Sequence, residues 1–170
     1  MKYAIIYGGL AGAAIILTTL AGIQVVGHSE LFGYLIMLVG LTLVFVGVKR
    51  YRDIECGGVI RFMPALGMGL AIAVVAGLAY VAVWEAYLAM TDYRFMDEYV
   101  ASVLKARQAE GASAAALAKE AANLERLRVS YLNPLFRLPM TFLEIFPVGL
   151  AVALFSAALL RNPKVLPATR

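Results

Sequence analysis

Apolar residues in this chain run unbroken for about eighteen positions or more instead of recurring in stripes, the pattern of helices written for hydrocarbon. The first run extends from Tyr3 to about Val26 and the second from Leu31 to Val48, with the tight turn Gly27-His28-Ser29-Glu30 between them. The second run stops at Lys49-Arg50-Tyr51-Arg52-Asp53, and a short loop holding Gly57-Gly58 leads past Arg61 to Pro64. Proline suits a first helical turn because the donor it lacks has no partner there. A third run therefore starts at Pro64 and reaches about Met90, and a fourth covers about Leu138 to Leu160. These four runs predict membrane spans over 3–26, 31–48, 64–90 and 138–160.

The connection between the last two runs has a different pattern. From Phe95 to about Gln108, Phe95, Tyr99, Val103 and Leu104 fall at helical spacing. Glu110-Gly111 breaks that helix, and Ser113 is placed to cap a second one. Along it Leu117, Ala121, Leu124, Leu127 and Tyr131 repeat every three or four residues, while Lys119, Glu120, Glu125, Arg126 and Arg128 take the opposite face. Asn133-Pro134 closes it. The expected fold is thus an all-α membrane protein, one domain over 1–170, with an extramembrane amphipathic helical hairpin at about 93–132 between spans three and four. The hairpin's apolar face would rest on the membrane surface, on the span ends or on another subunit. The hairpin reads either as a packed cap or as a docking platform for a homo-oligomer or a membrane-protein partner.

Composition agrees with that reading: 62% of the 170 residues are hydrophobic, 15% are charged, and mean hydropathy is +0.82. The net charge of +4 does not point to nucleic acid, because no binding motif accompanies it and the basic residues gather at helix ends. Lys2, the Lys49–Arg61 loop and the tail with Arg161, Lys164 and Arg170 hold eight of the fifteen basic residues. By the positive-inside rule these segments face the cytoplasm. Both termini are then cytoplasmic and 91–136 lies on the outer side, which is the periplasm if the source is a Gram-negative bacterium. The first run is longer than a signal peptide's apolar core and no clean cleavage site follows it, so an uncleaved span is expected. The single cysteine, Cys56, excludes an internal disulfide and a cysteine-rich metal site.

Small residues mark faces suited to close helix packing. Ala65, Gly69, Ala73 and Gly77 lie four apart in span three; Gly149, Ala153 and Ala157 lie in span four. Gly8 and Gly12 occupy span one, and Gly33, Gly40 and Gly47 recur seven apart in span two. A compact bundle follows from these faces.

Seven short motifs in order resemble one known family. They are Lys49-Arg50-Tyr51-Arg52-Asp53, Gly57-Gly58-Val59-Ile60-Arg61-Phe62, Trp84-Glu85, Phe95-Met96-Asp97-Glu98-Tyr99, Ala109-Glu110-Gly111-Ala112-Ser113, Asn133-Pro134-Leu135-Phe136, and Thr141-Phe142-Leu143-Glu144 with Pro147-Val148-Gly149-Leu150. Over nearly the whole chain they resemble the bacterial membrane family catalogued as domain of unknown function 4199. The resemblance implies a small four-span inner-membrane protein with a helical insert before the last span, and it implies no activity.

Candidate chemistry rests on two glutamates inside apolar runs, Glu85 and Glu144. A carboxylate at the centre of a membrane helix costs roughly 2.5–3.5 kcal/mol on insertion scales. At 1.5 Å per residue both fall roughly 8–10 Å inside the outer end of their spans. Arg137 lies two turns before Glu144, and Pro147 loosens the carbonyl of Leu143 beside it. Glu85, Glu144, Arg137 and His28 are therefore the candidate intramembrane polar site. One reading has the carboxylates locked to arginine and tyrosine at the helix ends; another uses them for protons or cations; a third adds His28 as a Glu/Glu/His cation set. Lys49, Arg50, Arg52 and Arg61 are candidate contacts for anionic lipid headgroups. Trp84, Tyr80, Tyr87, Tyr93 and Tyr99 suggest an aromatic belt at the outer boundary. With no nucleotide, zinc or nucleophile motif, no cofactor, metal or catalytic residue is expected, and the protein reads as non-catalytic: structural, accessory or interaction-mediating. The alternative is a small proton- or cation-coupled transporter or channel-like protein.

Overall fold

Long apolar runs leave the backbone no partner but itself, and helix is the local solution that satisfies every amide without water. In the computed structural model, which describes residues 1–26 and 30–168, with side chains for 1–22 and 35–168, six helices follow one another. They are α1 (Lys2–Val26), α2 (Glu30–Glu55), α3 (Phe62–Met90), α4 (Phe95–Ala109), α5 (Ala114–Tyr131) and α6 (Pro134–Leu160). No strand occurs among the described residues. The predicted boundaries hold to within a few residues, with two differences. α2 continues almost two turns beyond Val48, because Lys49–Asp53 and its neighbours are good helix formers with side chains to pair at this end. α6 starts at Pro134, four residues earlier than expected, where the Asn133 side chain accepts from the Leu135 amide at 3.0 Å and caps the first turn.

Among the described residues, three helical stretches are long and apolar enough to cross a membrane: Lys2–Gly22, Phe62–Met90 and Pro134–Leu160, with mean hydropathies of 1.9, 2.3 and 2.1. By length and composition these three apolar helices suggest a membrane protein. The expected second span, 31–48, begins on residues whose side chains lie outside the description, and the same holds for Gly33.

The chain divides into two compact units, Met1–Val83 with Phe142–Arg170, and Trp84–Thr141. The first contains α1, α2, most of α3 and most of α6. Here the small-residue faces do the packing that the sequence suggests. A methyl group built on Gly69 would stand 2.9 Å from the Ala153 Cβ, and one on Gly149 would stand 2.9 Å from the Ala73 Cβ. α3 and α6 thus meet through two reciprocal glycine–alanine contacts. α1 lies equally close to α3: a methyl on Gly8 would reach 2.7 Å from the Ile72 carbonyl oxygen, and one on Gly12 would overlap that of Ala76. Gly47 of α2 fits against Tyr7 and Ile72, and Gly40 against Ile15. Contacts this close exchange side-chain volume for backbone proximity, which is how helices gain dispersion energy in a solvent as apolar as themselves.

The second unit holds α4 and α5, with the last turns of α3 before them and the first turns of α6 after them. Gly111 turns the chain between α4 and α5 in the left-handed region, φ +80°, and the Ser113 side chain accepts from the Ala116 amide at 3.3 Å as a helix cap. On α5 Leu124 and Tyr131, two of the residues read from the spacing, are buried; on α4 the buried residue is Met96, which that reading leaves out, while Phe95, Tyr99, Val103 and Leu104 are half-buried.

Candidate functional site

The second unit centres on Glu85 and Arg137. Two residues with positive φ, Asp92 at +51° and Tyr93 at +57°, turn the chain sharply after α3, and the Tyr93 amide donates back to the Leu88 carbonyl at 2.8 Å. Arg137, in the first turn of α6, then faces Glu85, 52 positions earlier. Its Nε donates to Glu85 Oε1 at 2.6 Å and its Nη2 to Oε2 at 2.7 Å, the fork-on-fork geometry that suits guanidinium and carboxylate best. The remaining Nη1 donates to the Tyr131 carbonyl at 2.9 Å and to that of Leu132 at 3.4 Å. Those carbonyls close α5 and have no acceptor role within the helix, so Arg137 satisfies them from outside. The rings of Tyr93 and Tyr131 lie 5.1 and 5.8 Å from the guanidinium carbon. Arg137 is 3% exposed and Glu85 25%. One side chain therefore ties the end of α3, the end of α5 and the start of α6 together.

Aromatic residues complete the centre. Trp84 Nε1 donates to the Tyr131 hydroxyl at 2.8 Å, and its ring meets Phe95 edge-on at 4.8 Å and Tyr87 at 5.4 Å. Trp84 and Tyr80 are buried. The expected aromatic belt is corrected for these two: they pack into the protein, because the indole N–H finds its partner there and not among headgroups. On the outer side of the helix pair, Arg128 bridges Glu125 at 2.8 Å and Asp97 at 3.2 Å, and its hydrogen bonds hold the Glu125 carboxyl below the usual carboxylate range.

Glu144 stands differently. It lies on the exposed face of α6 in the first unit and makes no hydrogen bond or ion pair among the described residues. His28, the remaining member of the expected polar set, lies outside the described residues. Of that set, the structure brings Glu85 and Arg137 together.

The expected lipid-contacting cations also separate. Arg52 is completely buried: Nε donates to Asp53 Oδ1 at 2.7 Å, Nη1 to the Val165 carbonyl at 2.9 Å and Nη2 to the Leu166 carbonyl at 2.5 Å. It holds the C-terminal segment in place and has no access to a headgroup, which corrects its assignment. Its position was legible in one respect. Met37, Leu41, Val44, Val48 and Arg52 follow each other at three- and four-residue steps on the buried face of α2. Lys49 pairs with Asp53 at 2.5 Å, whereas Arg50 and Arg61 are exposed. Burial pushes the Asp53 carboxyl up, but the hydrogen bonds from Lys49 and Arg52 outweigh it and hold the group below its ordinary value. Glu55, also missed by the sequence reading, accepts from Lys2 at 2.7 Å and from the Tyr3 hydroxyl at 3.0 Å. Both bonds keep its carboxyl low, Lys2 first.

No curated protein and no solved structure matches the chain significantly. One family model covers residues 2–162, so the geometry above describes a member of the family described as Protein of unknown function (DUF4199), to which this chain belongs.

Proposed function

We propose that this is a small four-span bacterial inner-membrane protein with 31–48 as its second span, both termini cytoplasmic and 91–136 periplasmic. On this reading it is not an enzyme and binds no cofactor or nucleic acid. It is an accessory or interaction protein that presents α4 and α5 to another copy or to a membrane-protein partner. The observation that supports this is the use made of Glu85: both of its oxygens are engaged by an arginine that also closes α5. A carboxylate held that way fixes the base of a helix pair and is poorly placed to exchange ions. Arg50 and Arg61, exposed beside the bundle's basic end, fit anionic headgroups on the cytoplasmic face.

The decisive measurement uses the full chain in liposomes under an imposed potential, with internal pH and cation indicators. The accessory reading expects no flux above that of empty vesicles and an unchanged signal in Glu144→Gln. Glu144, unpartnered within an apolar helix, favours a second reading, a proton- or cation-coupled carrier. Flux that Glu144→Gln abolishes while the protein stays folded would establish the carrier and displace the first reading. Labelling of single cysteines at Ser113 and Ala168 from either side of the membrane tests the topology: accessibility from opposite sides is expected.

A further inference from the structure

We propose that α6 pairs with α6 of a second copy of this chain, in parallel, through the face that carries Glu144. Along that helix Glu144, Pro147, Ala151, Leu154 and Ala158 are all exposed, and they step by three, four, three and four residues. That is the spacing of a helix–helix seam, and it lies opposite the face with Gly149, Ala153 and Ala157 that already packs inside the chain. Other exposed apolar positions, such as Ile5 and Ile6 on α1 or Leu78 on α3, include no acid and need nothing beyond lipid. Glu144 does need something. Its charged form is the costly one in hydrocarbon, and among the described residues it has no partner.

A second copy supplies a partner at the right depth. Two copies inserted with the same topology are related by a two-fold axis along the membrane normal, so α6 meets α6 in register and residue 144 faces residue 144. A neutral carboxyl carries one donor and retains an acceptor, which makes the group complementary to itself. Alanine at 151 and 158 lets the helices approach closely below that contact, and a single polar position in an otherwise apolar seam fixes register and partner number. The pairing uses none of the residues that support the accessory role, so either can fail alone.

The test uses the full chain in liposomes over a range of protein-to-lipid ratios, with Cys56→Ser as background. Single cysteines at Ala158, and at Ile5 and Met63 as exposed controls at the same end of the spans, are oxidised with copper phenanthroline. Cross-linking at 158 that persists on lipid dilution, with little at 5 or 63, is expected; equal yields at all three, or none at 158, would overturn the proposal. Energy transfer between labelled copies reads the carboxyl directly. Glu144→Leu is expected to weaken pairing by about three- to tenfold and Glu144→Gln, which keeps a donor and an acceptor, to retain it. Pairing in Glu144→Leu equal to that of the parent would overturn the role of the carboxyl.

Discussion

The two compact units are held together by opposite means. In the first, apolar helices meet through glycine and alanine at distances that exclude any larger side chain, as at Gly69–Ala153 and Gly149–Ala73. In the second, a guanidinium, a carboxylate, two carbonyls and an indole–phenol hydrogen bond converge on a few residues. The contrast follows from the surroundings each sequence is written for. Among apolar spans dispersion is the gain left to collect, and it grows with closeness. Where α4 and α5 carry exposed charges, directional bonds can specify a single arrangement, but each of them depends on its partner. Packing of the first kind fails gradually, and a bonded centre of the second kind fails at one residue.

The largest effect should therefore come from Glu85→Gln. It leaves the buried Arg137 guanidinium without a counter-charge; breaking a fully buried pair from one side costs about 3–5 kcal/mol, and with Glu85 25% exposed the loss should fall toward the lower end. Unfolding of the detergent-solubilised protein should show it. The double variant Glu85→Gln/Arg137→Met should lose less than the sum of its parts, because the stranded charge is gone. A loss in Glu85→Gln no greater than that of an exposed substitution would remove the contrast between the units. In the first unit, Gly69→Leu forces α3 from α6 at Ala153, and overpacking of this kind costs about 1–3 kcal/mol. Its effect should be indifferent to salt, since no charge is involved.

The same difference decided what could be read from the chain. The helices, the Ser113 cap, the Gly111 turn and the small-residue faces follow from local spacing and from length, and the structure shows them. Polar partners across long separations were harder. Glu85 and Arg137 both belong to the candidate polar set, but the spacing sets Arg137 beside Glu144, and nothing in it indicates that the guanidinium pairs with Glu85 or caps α5 through Tyr131. Arg52 was misread because it sits in a basic run, where the positive-inside rule supplies an explanation before burial is considered. Its three- and four-residue steps from Val44 and Val48 were the better signal. Trp84 was misread for a parallel reason: aromatic residues near a span end are as useful inward as outward, and only the position of Tyr131 distinguishes them.

Arg52 also offers a smaller test of the contrast, since it brings a bonded centre into the unit otherwise held by packing. Asp53 has a lowered folded-state pKa, so its contribution is fully present above the ordinary carboxylate value and is lost as pH falls through the lowered one. Acidification from pH 7 to about 3 should loosen the segment that Arg52 holds by Val165 and Leu166. Its exchange of backbone amides, corrected for intrinsic rates, should rise while that of α3 and α6 does not. The rise should be modest, because the two carbonyls still accept from Arg52 when Asp53 is neutral. Asp53→Asn should show the faster exchange already at pH 7 and little further change on acidification.

The smallest effect is expected on the outer side of the helix pair. Asp97→Asn removes one of the two carboxylates on Arg128, yet Glu125 keeps its own bidentate bond at 2.8 Å and the site is open to water. Exposed ion pairs contribute little and are screened by salt. Unfolding of Asp97→Asn should match the parent within error at moderate ionic strength, and any difference should vanish as salt is added. A loss comparable to that of Glu85→Gln would mean that the bonds of the second unit act as one network reaching its surface, and its stability would then rest on the whole array of charges rather than on Arg137.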